Sequence, residues 1–205
     1  KILPPEDMKA YLNAAEKHGV LAMFYLELVT GIRKGELTTL LWSDLNIERR
    51  TISVSKQAGW NGEGELEIRR PKTENSIREI SIPQTAVDLL LEEHSKHPNN
   101  PYLFPSPKTG GMYHPDSIVN LHKKILKDAG LPHIRFHDLR HTCASLLLAN
   151  GVPMEQVKEW LGHSEISTTV DIYGHLQYAT KKQSAAAIEQ DIVAPMLQNL
   201  SAVSP

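Results

Sequence analysis

Between Phe136 and His175 the chain reads FHDLRHTCASLLLANGVPMEQVKEWLGHSEISTTVDIYGH, and this stretch holds His137, Arg140, His163 and Tyr173. His137 and Arg140 stand three residues apart, so a helix sets both side chains on one face, where they approach a single group together. An anion suits them: Arg offers a fixed fork of donors for phosphate, His carries a proton near neutral pH, and Tyr173 is a candidate nucleophile. Two further cations stand far off in sequence, Arg33 in GIRKGEL and Lys72 in PKTENS. Such a set suits a phosphate whose charge grows in the transition state.

A metal site competes for the same histidines, because His133, His137 and His141 recur every four residues, with His163 and His175 downstream. Arg140 in their midst would repel a cation, no cysteine or carboxylate set completes a familiar site, and HDLRH lacks the Glu of a zinc-protease helix. No metal and no cofactor are expected.

The elements that must position these residues follow from periodicity. ILPPEDMKAYLNAAEKHG reads as a helix opened by Pro5, with Met8, Tyr11, Leu12 and Ala15 at core spacing. VLAMFYLELVTG is apolar almost all round, a buried helix that delivers the turn bearing Arg33, and ELTTLLW reads as a short helix after it. From Arg50 the period changes to two in TISVS, ELEIRR and REISIP, which predicts a small antiparallel sheet with Lys72 on the link between the second and third strands. QTAVDLLLEEHSK, PDSIVNLHKKILKDAG, HDLRHTCASLLLANG and PMEQVKEWLG read as four more helices. Tyr102, Leu103 and Phe104 anchor the Pro- and Gly-rich connection among them. The fold class is mainly α with a small antiparallel sheet, in one domain over residues 1–205. The segment 178–205 is Ala-rich with a thin core face, which points to a partner surface.

Composition bounds the answer loosely. Hydrophobic residues make up 40% and charged residues 22%, the balance of a globular chain and not of a disordered or fibrous one. Net charge is −2, which weighs mildly against a nucleic-acid partner. The lone Cys143 rules out an intrachain disulfide and reads as a small core residue in a reducing cytoplasm. No apolar run approaches the ~18 residues of a membrane helix, so a cytoplasmic protein is expected. Lys1 is not an initiator methionine, which suggests a piece of a longer protein.

TGIRKGEL, the PKT segment, HDLRHTCASLLLANG and LGHSEISTTVDIYGH, in this order and over most of the chain, closely resemble the catalytic domain of the tyrosine recombinases of the phage-integrase class. The resemblance implies that Arg33 and Arg140 hold the scissile phosphate and that Lys72 protonates the leaving 5′-oxygen. His137 and His163 are then further site residues, Tyr173 is the nucleophile, and Glu36 orients Arg33. It also implies the DNA breaking-rejoining fold, double-stranded DNA as partner, a tetrameric synapse in which 178–205 docks on a neighbouring protomer, and accessory DNA-bending or excision factors. N-terminal DNA-binding modules, usual in such enzymes, are expected to be absent from this chain. The implied function is site-specific recombination through a 3′-phosphotyrosyl intermediate, for integration or excision of a phage or conjugative transposon. The rivals are a type IB topoisomerase and a DNA-binding module without chemistry, and Tyr178 is the alternative nucleophile.

Overall fold

The computed structural model describes residues 1–71 and 77–162. Its helices are α1 (Pro5–Lys17), α2 (Leu21–Thr30), α3 (Lys34–Leu37), α4 (Gln84–Lys96), α5 (Pro115–Asp128), α6 (Phe136–Ala149) and α7 (Met154–Leu161). Its strands are β1 (Leu45–Asn46), β2 (Thr51–Val54), β3 (Gln57–Trp60), β4 (Leu66–Arg69) and β5 (Arg78–Ser81). A mainly helical fold with small antiparallel sheets is thus observed, as the periodicity predicts.

The apolar helix α2 is the hub. Ala22, Met23, Phe24, Leu26 and Leu28 are buried around it, with α1, α4 and α6 packed on its sides. Tyr11 and Ala15 of α1, Ile118, Ile125 and Leu126 of α5, and Leu103 and Phe104 of the long connection complete one core. A smaller cluster, Ala144, Leu148, Val157 and Leu161, joins α6 to α7. Cys143 is buried, as expected, and desolvation pushes its thiol up to about 12.

Two local expectations are corrected. The helix read from ELTTLLW ends at Leu37, because the Thr38 hydroxyl donates to the Gly35 carbonyl at 3.1 Å and that of Thr39 to the Glu36 carbonyl at 2.9 Å, closing the turn. Leu40 then accepts from the Leu103 amide at 2.9 Å, and Leu41 bridges to Tyr102. The single sheet of TISVS, ELEIRR and REISIP is in fact two sheets. β2 pairs antiparallel with β1 and β5, setting Ile52 opposite Ile80, while β4 pairs with β3, setting Trp60 opposite Leu66. QAGW lacks a β-branched run and so carried no strand signal, yet the turn at Asn61, whose side chain accepts from the Glu65 amide at 2.8 Å, closes it onto β4. The segment between β4 and β5 therefore links two sheets; Lys72 within it lies outside the described residues.

A polar chain runs through the core. The Tyr11 hydroxyl lies 2.8 Å from His122 Nδ1, and His122 Nε2 lies 3.0 Å from the Ile134 carbonyl. A neutral ring with its proton on Nε2 satisfies both contacts. Desolvation pulls His122 down to about 4. Unfolded, this ring titrates near ~6.5, so the unfolded chain holds the extra proton between those values. Its contribution to stability is therefore full above the unfolded value and is lost as pH falls toward the folded one, by on the order of 3 kcal/mol. Urea unfolding across this range should show that loss, and His122→Gln should flatten it.

Candidate active site

Arg33 is placed by the end of α2. Gly31 takes a left-handed conformation there, with φ of 59°, and a Cβ on it would lie 2.7 Å from Leu161 Cδ2 and 3.1 Å from Cys143 Cβ. Only glycine meets both demands, so α2, α6 and α7 close on this turn. Arg33 follows as the residue that starts α3. Its own amide donates to Glu36 Oε2 at 2.8 Å and its Nη1 to Glu36 Oε1 at 3.0 Å, which ties the side chain down across the first helical turn.

Arg140 comes from the buried face of α6 and is 1% exposed. Its Nη1 donates to the Gly31 carbonyl at 2.6 Å and its Nη2 to the Leu161 carbonyl at 2.5 Å. Burial, then the neighbouring Arg33, pull it down to about 9, which leaves the guanidinium charged at neutral pH. A third arginine stands beside these two. Arg78 of β5 meets Glu36 through Nη1 at 3.1 Å and Nη2 at 2.9 Å, and its Nε donates to the Trp160 carbonyl at 2.8 Å. Arg33 Nη2 donates to the Gly162 carbonyl at 2.9 Å. Three guanidiniums thus take three successive carbonyls, Trp160, Leu161 and Gly162, at the end of α7, where the helix leaves its carbonyls without internal partners. The negative end of the helix faces the positive cluster.

Glu36 is the counter-charge of this cluster. Burial alone would raise its carboxyl, but the hydrogen bonds and charge of Arg78, then those of Arg33, outweigh it and hold the group below its ordinary value. The orienting role expected of Glu36 toward Arg33 matches this geometry.

His137 is exposed near the start of α6 and is held down at about 4 by partial desolvation, by the His141 ring 4.9 Å away, and by Arg140 and Arg135. At neutral pH it is uncharged and free to accept a proton. His133 lies ahead of α6, so the row of three histidines on one helix face is not built; only His137 and His141 share that face. Among the described residues no cluster of three or more His, Cys, Asp or Glu could hold a metal ion.

A cleft of about 380 Å³ brings Arg33, Lys34, Arg135, His137 and Arg140 to one opening, with Glu27 among its walls. A larger cleft of about 440 Å³ lies beside the turn after α1, but its histidines are taken up by carboxylates, His18 by Asp128 at 2.7 Å and His97 by Glu93 at 3.2 Å. The smaller one gathers the cations, and on that chemistry it is the candidate site. Of the six residues singled out in sequence, Arg33, His137 and Arg140 meet there; Lys72, His163 and Tyr173 lie outside the described residues. Sequence reasoning missed Arg78 and Glu27. A lone carboxylate in the otherwise apolar LAMFYLELVT was the visible sign of Glu27, whereas Arg78 was one of several basic residues in a strand-rich region.

Glu36→Gln should lower stability by about 3 to 5 kcal/mol, because it removes the buried carboxylate charge bonded to both Arg33 and Arg78. A reduced urea midpoint measures it, and an unchanged midpoint would show that the cluster does not depend on this carboxylate.

Comparison with known proteins agrees with the geometry. The chain matches the phage integrase family over residues 1–180. It is 32% identical over 206 residues to a protein of Caldanaerobacter subterraneus subsp. tengcongensis named tyrosine recombinase XerC-like, covering 90% of this chain and 52% of that protein. It is 31% identical over 202 residues to the ICEBs1 integrase of Bacillus subtilis, covering 92% and 54%. The chain spans about half the length of these curated relatives. Among solved structures, XerA recombinase superposes with a TM-score of 0.72 at 25% identity, over 91% of this chain and 63% of XerA. The Tn1549 transposon integrase in complex with transposon right end DNA has the same fold, with a TM-score of 0.76 at 24% identity over 93% of this chain and 66% of that one. With its two arginines and histidine converging on one cleft and its sequence matched nearly end to end, this chain belongs to the phage integrase family of tyrosine recombinases.

Proposed function

We infer that this chain is the DNA-cleaving and rejoining domain of a site-specific recombinase serving integration or excision of a phage or conjugative transposon. The observation that carries the reading is the convergence of Arg33, Arg140 and an uncharged His137 on one cleft. Carbonyl oxygens hold both guanidiniums at the cleft, Gly162 for Arg33 and Gly31 with Leu161 for Arg140, and a fixed guanidinium fork suits an anion. A phosphodiester of double-stranded DNA is the anion.

Tyr173, with an unperturbed pKa of ~10, attacks phosphorus best when a base takes its proton, and His137 has the protonation state to do so. The arginines stabilise the charge on the equatorial oxygens. The P–O bond to the 5′-oxygen breaks as the tyrosyl ester forms, Lys72 gives the departing oxygen its proton, and His163 completes the site. These roles for Lys72, His163 and Tyr173 rest on the resemblance. The ester is exchanged and not hydrolysed, so another 5′-hydroxyl reseals the strand without ATP. Exchange between two duplexes requires four protomers, with residues 178–205 bridging neighbours and accessory factors shaping the DNA. Such an enzyme works beside the chromosome in a bacterial cytoplasm, and among the described residues no helix is long and apolar enough to cross a membrane.

A nicked suicide duplex carrying the element's end sequence tests the chemistry. A covalent protein–DNA adduct should form and vanish in Tyr173→Phe; an adduct that survives would move the nucleophile, with Tyr178 next to be tested. Arg33→Ala and Arg140→Ala should each slow adduct formation by about 100-fold or more. Exchange of strands between two labelled duplexes, and not mere relaxation of one supercoiled circle, separates a recombinase from a topoisomerase.

A further inference from the structure

Glu27 is a fully buried carboxyl group in an apolar helix. It sits on α2 with 0% exposure, and neither carboxyl oxygen has a hydrogen-bond partner among the described residues. Yet it lines the cleft that holds Arg33, His137 and Arg140. Its backbone carbonyl accepts from the Gly31 amide at 2.7 Å, and the Gly31 carbonyl in turn takes Arg140 Nη1 at 2.6 Å. Glu27 thus begins the turn that Arg140 grips.

The titratable and charged groups coupled to it come from four elements packed nearby: Tyr11 from α1, Glu36 from α3, Arg78 from β5, and Arg140 and Cys143 from α6. Burial, the first cause, pushes its carboxyl well above the ordinary range; Arg140 and Arg78 draw it down, and Glu36 pushes it up again. Two carboxylates sharing one small desolvated site resist ionising together, and Glu36 holds its charge through its direct bonds to Arg33 and Arg78. Glu27 and the Arg140 guanidinium are electrostatically coupled, so an ionised Glu27 would weaken the positive field that Arg140 offers to a bound anion.

We propose that Glu27 is a positioning residue that makes anion binding in this cleft proton-linked: the site takes its phosphate with Glu27 neutral, and ionisation of Glu27 behind Arg140 weakens that binding. The linkage is reciprocal, so a bound phosphate holds the proton on Glu27 more firmly. The proposal rests on the anion-site reading above and adds a regulator to it.

The test uses the full chain and sulfate, a probe whose charge stays constant across the neutral range. Calorimetric titration of the native protein should show sulfate affinity falling by at least about fivefold from mildly acid to alkaline pH. Glu27→Gln, and Glu27→Met as a second neutral variant, should keep the acid-side affinity throughout. Difference infrared spectra should show a buried neutral-carboxyl band at neutral pH in the native protein that Glu27→Gln lacks. The same pH dependence in native and variant proteins, or no such band, would overturn the proposal and leave the anion site standing. No sulfate binding by any of these proteins at any pH would overturn both.

Discussion

The site depends on one constraint: the end of α7 must satisfy its last carbonyls, and three arginines from three other parts of the chain satisfy them. Arg78 reaches Trp160, Arg140 reaches Leu161 and Arg33 reaches Gly162. Each bond joins a segment that is remote in sequence, 82, 21 and 129 residues away. The helix terminus therefore serves as the assembly point for α3, β5 and α6. Packing follows suit, because Gly31 must lie against Leu161 and Cys143 for Arg33 to reach its acceptor.

Electrostatics decide what such a cluster is good for. Three guanidiniums at close quarters repel one another, and a fold that fully paired each with its own carboxylate would relieve that repulsion but would leave little for an incoming anion. Here one buried carboxylate, Glu36, stands between Arg33 and Arg78, and all three guanidiniums also donate to carbonyl oxygens at the end of α7. Partial desolvation first, then the His141 ring, and after them Arg140 and Arg135 lower the basicity of His137, so the imidazole at the mouth stays neutral. A neutral imidazole has a free nitrogen lone pair with which to take up a proton.

Much of this was legible beforehand. The helices α4, α5, α6 and α7 follow from strong apolar periodicity with Gly or Pro at their ends, and the placement of Arg33 at a helix start and of His137 with Arg140 on α6 follows from spacing alone. The strand pairing was not legible. β3 has no β-branched run, and a strand's partner is chosen by contacts across the chain, not by its own residues. The short helix α3 misled for a related reason, since ELTTLLW has helical spacing but its threonines bond back and release the chain to pair with the segment at Tyr102.

The sequence by itself determined which reactive groups are available, two arginines, a histidine and a tyrosine within motifs that resemble those of the tyrosine recombinases, because such groups are a matter of residue type and local spacing. Tertiary structure alone decided that Arg33 and Arg140 share a cleft, that Arg78 joins them, and that Glu27 lies buried behind Arg140 without a hydrogen-bond partner among the described residues. Burial and charge proximity are properties of the folded ensemble of elements, so no window of sequence, however periodic, contains them.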